Sequence, residues 1–109
     1  MAITSCNKDK EIILLLNSKM PTPRIEGARE ARESGDKKYI PLLLADADDP
    51  GVSTSLRYKG FSVYTEVMYD LECILHAKPP HPYLNILVLP DSVNIKFYHQ
   101  LWQKLNTKP

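Results

Sequence analysis

A proline inside the second of three short apolar runs constrains the fold of this chain more than any other feature. That run covers residues 36–47 and places Pro41 directly before three leucines. In a central β-strand, proline removes a hydrogen bond of the ladder between strands. Near the start of a helix, its missing N–H costs little because no helical partner awaits it. The run is therefore predicted to form a helix that begins around Ile40, after a short turn headed by Asp36.

Three further segments carry the composition or periodicity of α-helices. Residues 24–34 are rich in Ala, Arg and Glu, which favour helix. Residues 63–76 and 91–105 place apolar side chains on one face, mostly at steps of three and four. The predicted apolar stripes are Val63, Val67, Leu71, Ile74 and Leu75 in the former, and Val93, Phe97, Leu101 and Leu105 in the latter. The predicted caps are Gly35 after the first segment, and Ser62 and Asp91 or Ser92 before the other two.

The remaining apolar runs, residues 9–17 and 81–89, leave two folds open. Periodicity cannot separate a buried strand from a buried helix at this length. Three strands would give a βαβαβα parallel sheet with crossover helices. The leucine content of residues 9–17 and the position of Pro41 favour helices, whereas residues 81–89 stay ambiguous. We therefore expect one all-α domain over residues 1–109, with five or six short helices and the α/β sheet as the alternative. That alternative would be a small regulator-like domain, in which the residues clustered at the strand ends are Asn17, Asp46 and Asp91.

A faint internal repeat also favours helices. The stretch DKEIILLLNSKMPTP (9–23) overlays DKKYIPLLLADADDP (36–50) at an offset of 27 residues. Self-similarity at such a spacing is typical of stacked helical repeats. The coinciding pairs are Asp9/Asp36, Lys10/Lys37, Ile13/Ile40, Leu15/Leu42, Leu16/Leu43 and Pro23/Pro50.

The stretch GDKKYIPLLLADADDP resembles the turn and second helix of a HEAT-like repeat of the short, phycobilisome-lyase type. The family's pattern is Gly-Asp, three residues, Ile or Val, Pro, one residue and Leu. The positions that fit it are Gly35, Asp36, Ile40, Pro41 and Leu43, and the preceding residues 22–34 resemble the first helix of the same repeat, with Ile25, Ala28 and Ala31 as packing positions. The resemblance covers residues 21–50 and implies a stack of about two and a half helix pairs.

A loop before the fourth segment holds the densest group of aromatic and cationic residues. Such residues could grip a phosphate or the acidic and aromatic side chains of a partner. They are Arg57, Tyr58, Lys59, Phe61 and Tyr64. We therefore expect a protein-binding or scaffold module whose partner is another protein, with a second copy of the chain as one option. The resemblance implies an alternative, a bilin lyase or chromophore chaperone, in which Cys73 or Asp70 would supply the reactive group.

Other classes of function lack support in the sequence. A net charge of +1 gives no global field that attracts nucleic acid, and no apolar run reaches the length of a membrane span. Two cysteines without a CxxC motif indicate a reducing, cytoplasmic location. We expect no cofactor and no metal. The potential ligands Cys73, His76 and His81 lack a fourth member, and Asp46, Asp48 and Asp49, which lack EF-hand spacing, are expected at a solvated helix end. The acids Glu66, Asp70 and Glu72 are expected on a solvated helix face.

Overall fold

The chain is all-α in the computed structural model, which describes residues 2–58, 60–84 and 89–107, with side chains from residue 8 onward. Its helices are α1 (Ala2–Leu16), α2 (Pro21–Ser34), α3 (Ile40–Ala45), α4 (Val63–Leu75) and α5 (Ser92–Asn106), with a 3-10 turn at Lys37–Tyr39 before α3. Within the described residues, β pairing is limited to an isolated bridge between Val52 and Ser62. The prediction of helices for the first two apolar runs is confirmed, and the parallel-sheet alternative is wrong.

The helix caps that the sequence predicts form at the expected residues, although α1 and α2 begin earlier than predicted, at Ala2 and Pro21. Gly35 adopts a left-handed φ of 69°, and its N–H donates to the carbonyls of Ala31 and Arg32. Asp36 caps the short turn before Pro41, because its side chain accepts a hydrogen bond from the Lys38 N–H. At α4 the Ser62 side chain accepts from the Thr65 N–H, and at α5 the Asp91 side chain accepts from two N–H groups.

Helix α2 packs between α1 and α4, while α3 contacts α1, α4 and α5. The shortest dimension of the molecule is 20 Å, about two helix diameters. Gly27 allows α1 and α2 to approach closely, since a Cβ there would lie 2.8 Å from the Cβ of Leu15 and 3.0 Å from the backbone nitrogen of Leu16. The predicted packing residues of α2 are fully buried: Ile25, Ala28 and Ala31. No helix in the described part of the chain has the length and apolar character needed to cross a membrane.

Helix α5 packs through a face that only partly matches its predicted stripe, of which Phe97 and Leu101 are partly buried against the core. The stripe residues Val93 and Leu105 are 47% and 39% exposed, whereas Asn94 and Tyr98 are fully buried. The α4 stripe, by contrast, is confirmed as core. The burial of Asn94 and Tyr98 has a polar cause, because both side chains find hydrogen-bond partners outside their own helix. Apolar periodicity carries no information about such partners.

The segment between α4 and α5 is held by those two side chains. The Asn94 amide donates to the His81 carbonyl and to the Tyr64 hydroxyl, and its oxygen accepts from the His81 N–H at 2.9 Å. The Tyr98 hydroxyl donates to the Ala77 carbonyl. Residues 81–84 and 89 form neither helix nor strand, and residues 85–88 of the ambiguous fifth run lie outside the described residues. We refer to residues 77–84 as the proline loop.

Buried Asp46 corrects the expectation of a solvated end to α3. Its side chain is 6% exposed and lies 3.6 Å from the Nε of Arg24, whose Nη1 binds Asp49 at 2.7 Å. The second Asp46 carboxyl oxygen takes no hydrogen bond from the described residues. Burial is the main cause that raises the pKa of Asp46 to about 6, although Arg24 acts in the opposite direction. Asp48 alone of the three acids is exposed.

We expect Asp46→Asn to change how stability depends on pH. Because the pKa of folded Asp46 is raised above its ordinary value of 3.8, the folded state binds the proton more tightly, and stability is lost as the pH rises through about 6. The free energy of unfolding of Asp46→Asn, relative to wild type, should rise by about 2 kcal/mol between pH 4 and pH 7. Urea denaturation at both pH values measures this, with exposed Asp48→Asn as the matched control. Parallel pH profiles for wild type and Asp46→Asn would contradict the expectation.

Candidate functional site

Two carboxyl side chains of α4 lie buried against α2 instead of facing solvent. Glu66 and Asp70 are 5% and 0% exposed, so the expectation of a solvated polar face is wrong for both. They stand one helical turn apart, three residues after Val63 and Val67, which places them beside the apolar face of α4. The helix therefore carries two acids into the contact between α2 and α4.

Two arginines of α2 meet these acids. The Arg29 Nη2 donates to Glu66 Oε1 at 3.1 Å, and the Arg32 Nη1 donates to Glu66 Oε2 at 3.3 Å and to Asp70 Oδ1 at 3.1 Å. The arginine side chains are 27% and 21% exposed, so each reaches from the surface down to a buried carboxyl group. Buried acids require such partners, because an unpaired buried charge is strongly destabilising.

The charge of this cluster depends on Asp70. Burial, and then the adjacent Glu66 carboxyl, raise the pKa of Asp70 well above its ordinary range, while Arg32 acts against the shift. The Asp70 Oδ2 takes no hydrogen bond from the described residues. The shift favours the neutral form of this carboxyl group, which lowers the negative charge buried beside the two guanidinium groups.

Aromatic rings hold the arginines from the other side. The Arg29 guanidinium carbon lies 4.7 Å from the centre of the Tyr58 ring and 5.9 Å from that of Phe61, and Arg32 lies 4.9 Å from that of Tyr69. These are cation–π distances. Tyr58 is 3% exposed, whereas Phe61 and Tyr69 are 44% and 42% exposed. Each arginine is thus fixed between a buried acid and a ring, and two of the three rings reach the surface.

A concavity of about 360 Å³ opens directly above the cluster, and a second of about 580 Å³ adjoins it. Both are lined by Tyr69 and Leu84, so we treat them as one surface and call it the α2–α4 groove. The first part is also lined by Arg29, Arg32, Phe61, Thr65 and Glu66. The second is also lined by Glu72, Lys78, Pro79, Pro80, His81, Pro82 and Tyr83. Each part of the groove is therefore lined by both apolar and charged side chains.

The proline loop forms the wall of the second part, and polar contacts fix it. The Tyr83 hydroxyl donates to Glu72 Oε1, and Tyr83 is 6% exposed. His81 Nδ1 lies 2.8 Å from Asp91 Oδ2. Together with the bonds from Asn94 and Tyr98, these contacts join the loop to both α4 and α5. Glu72 is thus half-buried at the groove edge and not part of a fully solvated face.

The four described residues among the five that are predicted to bind a partner do not form one surface patch. Tyr58 and Tyr64 are 3% and 0% exposed and belong to the core, which corrects their assignment to a binding surface. Arg57 is exposed and stacks on the Tyr58 ring at 5.3 Å, while Phe61 lines the groove. Lys59 lies outside the described residues. Partner binding stays a prediction for Arg57 and Phe61.

The residues considered for metal binding or chemistry are dispersed. In the described part of the chain, no three His, Cys, Asp or Glu side chains are grouped to hold a metal ion. Cys73 is a half-buried free thiol, and His81 is paired with Asp91. Asp70, the acid considered for lyase chemistry, is fully buried and bound to Arg32.

Sequence reasoning missed the cluster of Arg29, Arg32, Glu66 and Asp70, although a signal for it exists. Each acid stands three residues after a stripe valine of α4, and each arginine directly follows a buried alanine of α2. Oppositely charged pairs beside two packing stripes indicate an ion-pair contact between the helices. Leu84 carries no comparable signal, because its position depends on how the proline loop folds.

Comparison of the chain with protein-family models, curated proteins and solved structures finds no match.

Proposed function

We propose that this protein is a protein-binding module that receives a segment of its partner in the α2–α4 groove. The observation that carries the proposal is the convergence of three exposed apolar side chains, Phe61, Tyr69 and Leu84, in one concavity beside two arginines. Clustered exposed apolar residues mark interaction sites, and aromatic residues and arginine are enriched in protein interfaces. The resemblance to HEAT-like repeats is in line with this, since helical repeats present extended binding surfaces.

The shape of the groove favours a polypeptide over a small molecule. Sites for small molecules enclose most of the ligand surface. The two parts of this groove instead adjoin along the surface, from Arg29 on α2 past Leu84 to Pro79. An extended chain can occupy both parts with successive side chains.

Leu84→Ser tests the proposal with a matched control. Leu84 is 74% exposed and lines both parts of the groove, whereas Leu56 is 95% exposed and lines neither. We expect wild type and Leu56→Ser to enrich the same sequences from a phage library of random peptides, and Leu84→Ser to lose most of that enrichment. Thermal melting should be nearly equal for all three proteins, because both leucines are exposed.

Two outcomes would contradict the proposal. Equal enrichment by wild type and Leu84→Ser would place binding elsewhere on the molecule. A loss with Leu56→Ser alone would assign it to the loop before α4, where Arg57 stands. A second groove variant, Phe61→Ser, should also lose most of the peptide enrichment. It tests whether the effect of Leu84→Ser is specific to that one side chain.

A further inference from the structure

Resting on the proposed function, we infer that the α2–α4 groove selects an internal partner segment in which an Asp or Glu stands next to a large apolar residue. The acidic side chain binds Arg29 and Arg32, and the apolar side chain packs on Tyr69 and Leu84. The inference concerns which segment binds, whereas the proposed function concerns whether a segment binds there. It depends on the unused donors of the arginines, the charge of the cluster and the distances between cations and rings.

Both arginines keep hydrogen-bond donors for a ligand. A guanidinium group has five N–H donors in a planar fork. Towards the described residues, Arg29 uses Nη2 and Arg32 uses Nη1, which leaves the Nη1 of Arg29 and the Nε and Nη2 of Arg32 without a hydrogen bond to them. The Nε of Arg29 is buried and is therefore not available to a ligand. Both side chains line the first part of the groove. A carboxylate is the group that fits such a fork, because it accepts two parallel N–H bonds.

The charge of the cluster complements one carboxylate. The first part of the groove is lined by two arginines and one acid, Glu66, whereas Asp70 is fully buried and does not line it, so one carboxylate from the ligand balances the charged groups of this lining. The second part of the groove is lined by one lysine and one acid, Lys78 and Glu72. A phosphate group would bring up to two charges at neutral pH and exceed that balance. The groove therefore favours a carboxylate over a phosphate.

The apolar requirement follows from the rings beside the cations. The Arg32 guanidinium carbon lies 4.9 Å from the centre of the Tyr69 ring, and Leu84 borders the same concavity. One residue of an extended chain advances about 3.3 Å. A carboxylate on the arginines thus brings the side chain one or two residues away over Tyr69 and Leu84. The groove continues beyond Leu84 along the proline loop, which leaves room for chain beyond the anchoring pair and indicates an internal segment.

Two phage libraries of random peptides distinguish this inference from its alternatives. In one, the random residues are flanked on both sides by constant sequence, and in the other they end in a free C-terminal carboxylate. We expect the wild-type protein to enrich, from the flanked library, sequences with Asp or Glu within two residues of Phe, Leu, Trp or Tyr. The most enriched sequence is then synthesised as a capped peptide, together with a version in which the acid is replaced by its amide.

Fluorescence anisotropy should show that the acid-to-amide change weakens binding by about tenfold or more, the size expected for a charge-assisted hydrogen bond. The Arg29→Gln protein should bind the two peptides about equally, as in a double-mutant cycle, and Arg29→Lys should retain part of the difference. Lys96→Gln is the control for charge removal, because Lys96 is exposed and lies outside the groove. It should preserve the full difference between the peptides.

The outcomes separate the inference from the proposed function. Equal binding of acid and amide peptides, both lost in Leu84→Ser, would overturn the inference and leave the proposed function intact. Enrichment confined to the library with free C-termini would overturn the choice of an internal segment. If neither library yields a peptide that depends on Leu84, the proposed function fails and the inference with it. If Arg29→Gln melts well below wild type, the Arg29→Lys comparison and the acid-to-amide pair in wild type decide the matter.

Discussion

Replacement of Leu43 or Leu71 by alanine is expected to lower the free energy of unfolding by about 2–5 kcal/mol. Both side chains are fully buried, Leu43 in α3 and Leu71 in the stripe of α4. Truncation removes buried apolar surface and leaves a cavity that neighbouring residues fill only in part. Chemical denaturation measures the loss. Leu56→Ala, which changes a 95% exposed leucine, is the matched control and should stay within about 0.5 kcal/mol of wild type.

The two variants test separate parts of the fold. Because Leu43 follows Pro41 in the short α3, a small effect there would show that α3 contributes little to the core. A small effect of Leu71→Ala would question the packing of α4, on which the position of the groove depends. Wild-type stability in both variants would contradict the arrangement of the core as a whole.

Arg32→Leu is expected to cost about 3 kcal/mol at slightly alkaline pH, the size seen when one partner of a buried ion pair is removed. The leucine keeps much of the apolar bulk. Glu66 keeps its contact with Arg29, whereas Asp70 loses the ion pair with Arg32. The loss should shrink as the pH falls, because protonation removes the buried charge that the variant leaves unpaired. Urea denaturation between about pH 5 and pH 8 measures this dependence.

Arg57→Leu serves as the control for charge removal, since Arg57 is exposed and forms no ion pair with the described residues. Its stability should differ from wild type by less than about 0.5 kcal/mol at every pH. A cost for Arg32→Leu that stays constant across the pH range would show that the arginine acts by packing on Tyr69 and not through its charge.

Local signals in the sequence are sufficient to predict most of the helices. Pro41 excluded a central strand, Gly35 and Ser62 marked helix ends, and the α4 stripe identified its buried face. Each of these depends on contacts within a few residues of chain, or on the number of apolar side chains on one face. Such information can be obtained from the amino-acid sequence alone.

The errors arose where distant parts of the chain meet. The burial of Asn94 and Tyr98 on α5 has no signal in the apolar stripe, because these side chains bond to residues 13 and 21 positions away. Asp70 was expected in solvent because its partner Arg32 stands 38 positions earlier. Tyr58 and Tyr64 were grouped with exposed residues because an aromatic side chain suits a core as well as an interface. The groove depends on all of these long-range contacts, so its composition was only partly predictable.

The buried amide of Asn94 affects the rate and the selectivity of the proposed partner binding. Since Asn94 and Tyr98 already fix the proline loop to the helices, the wall of the groove exists before any ligand arrives. Association then requires ordering of the partner's segment but not of the receiving surface, which reduces the entropic cost of binding. Such a wall adapts little to ligands of a different shape. The proposed binding should therefore select partner segments whose shape already matches the groove, because the groove wall does not rearrange around segments of a different shape.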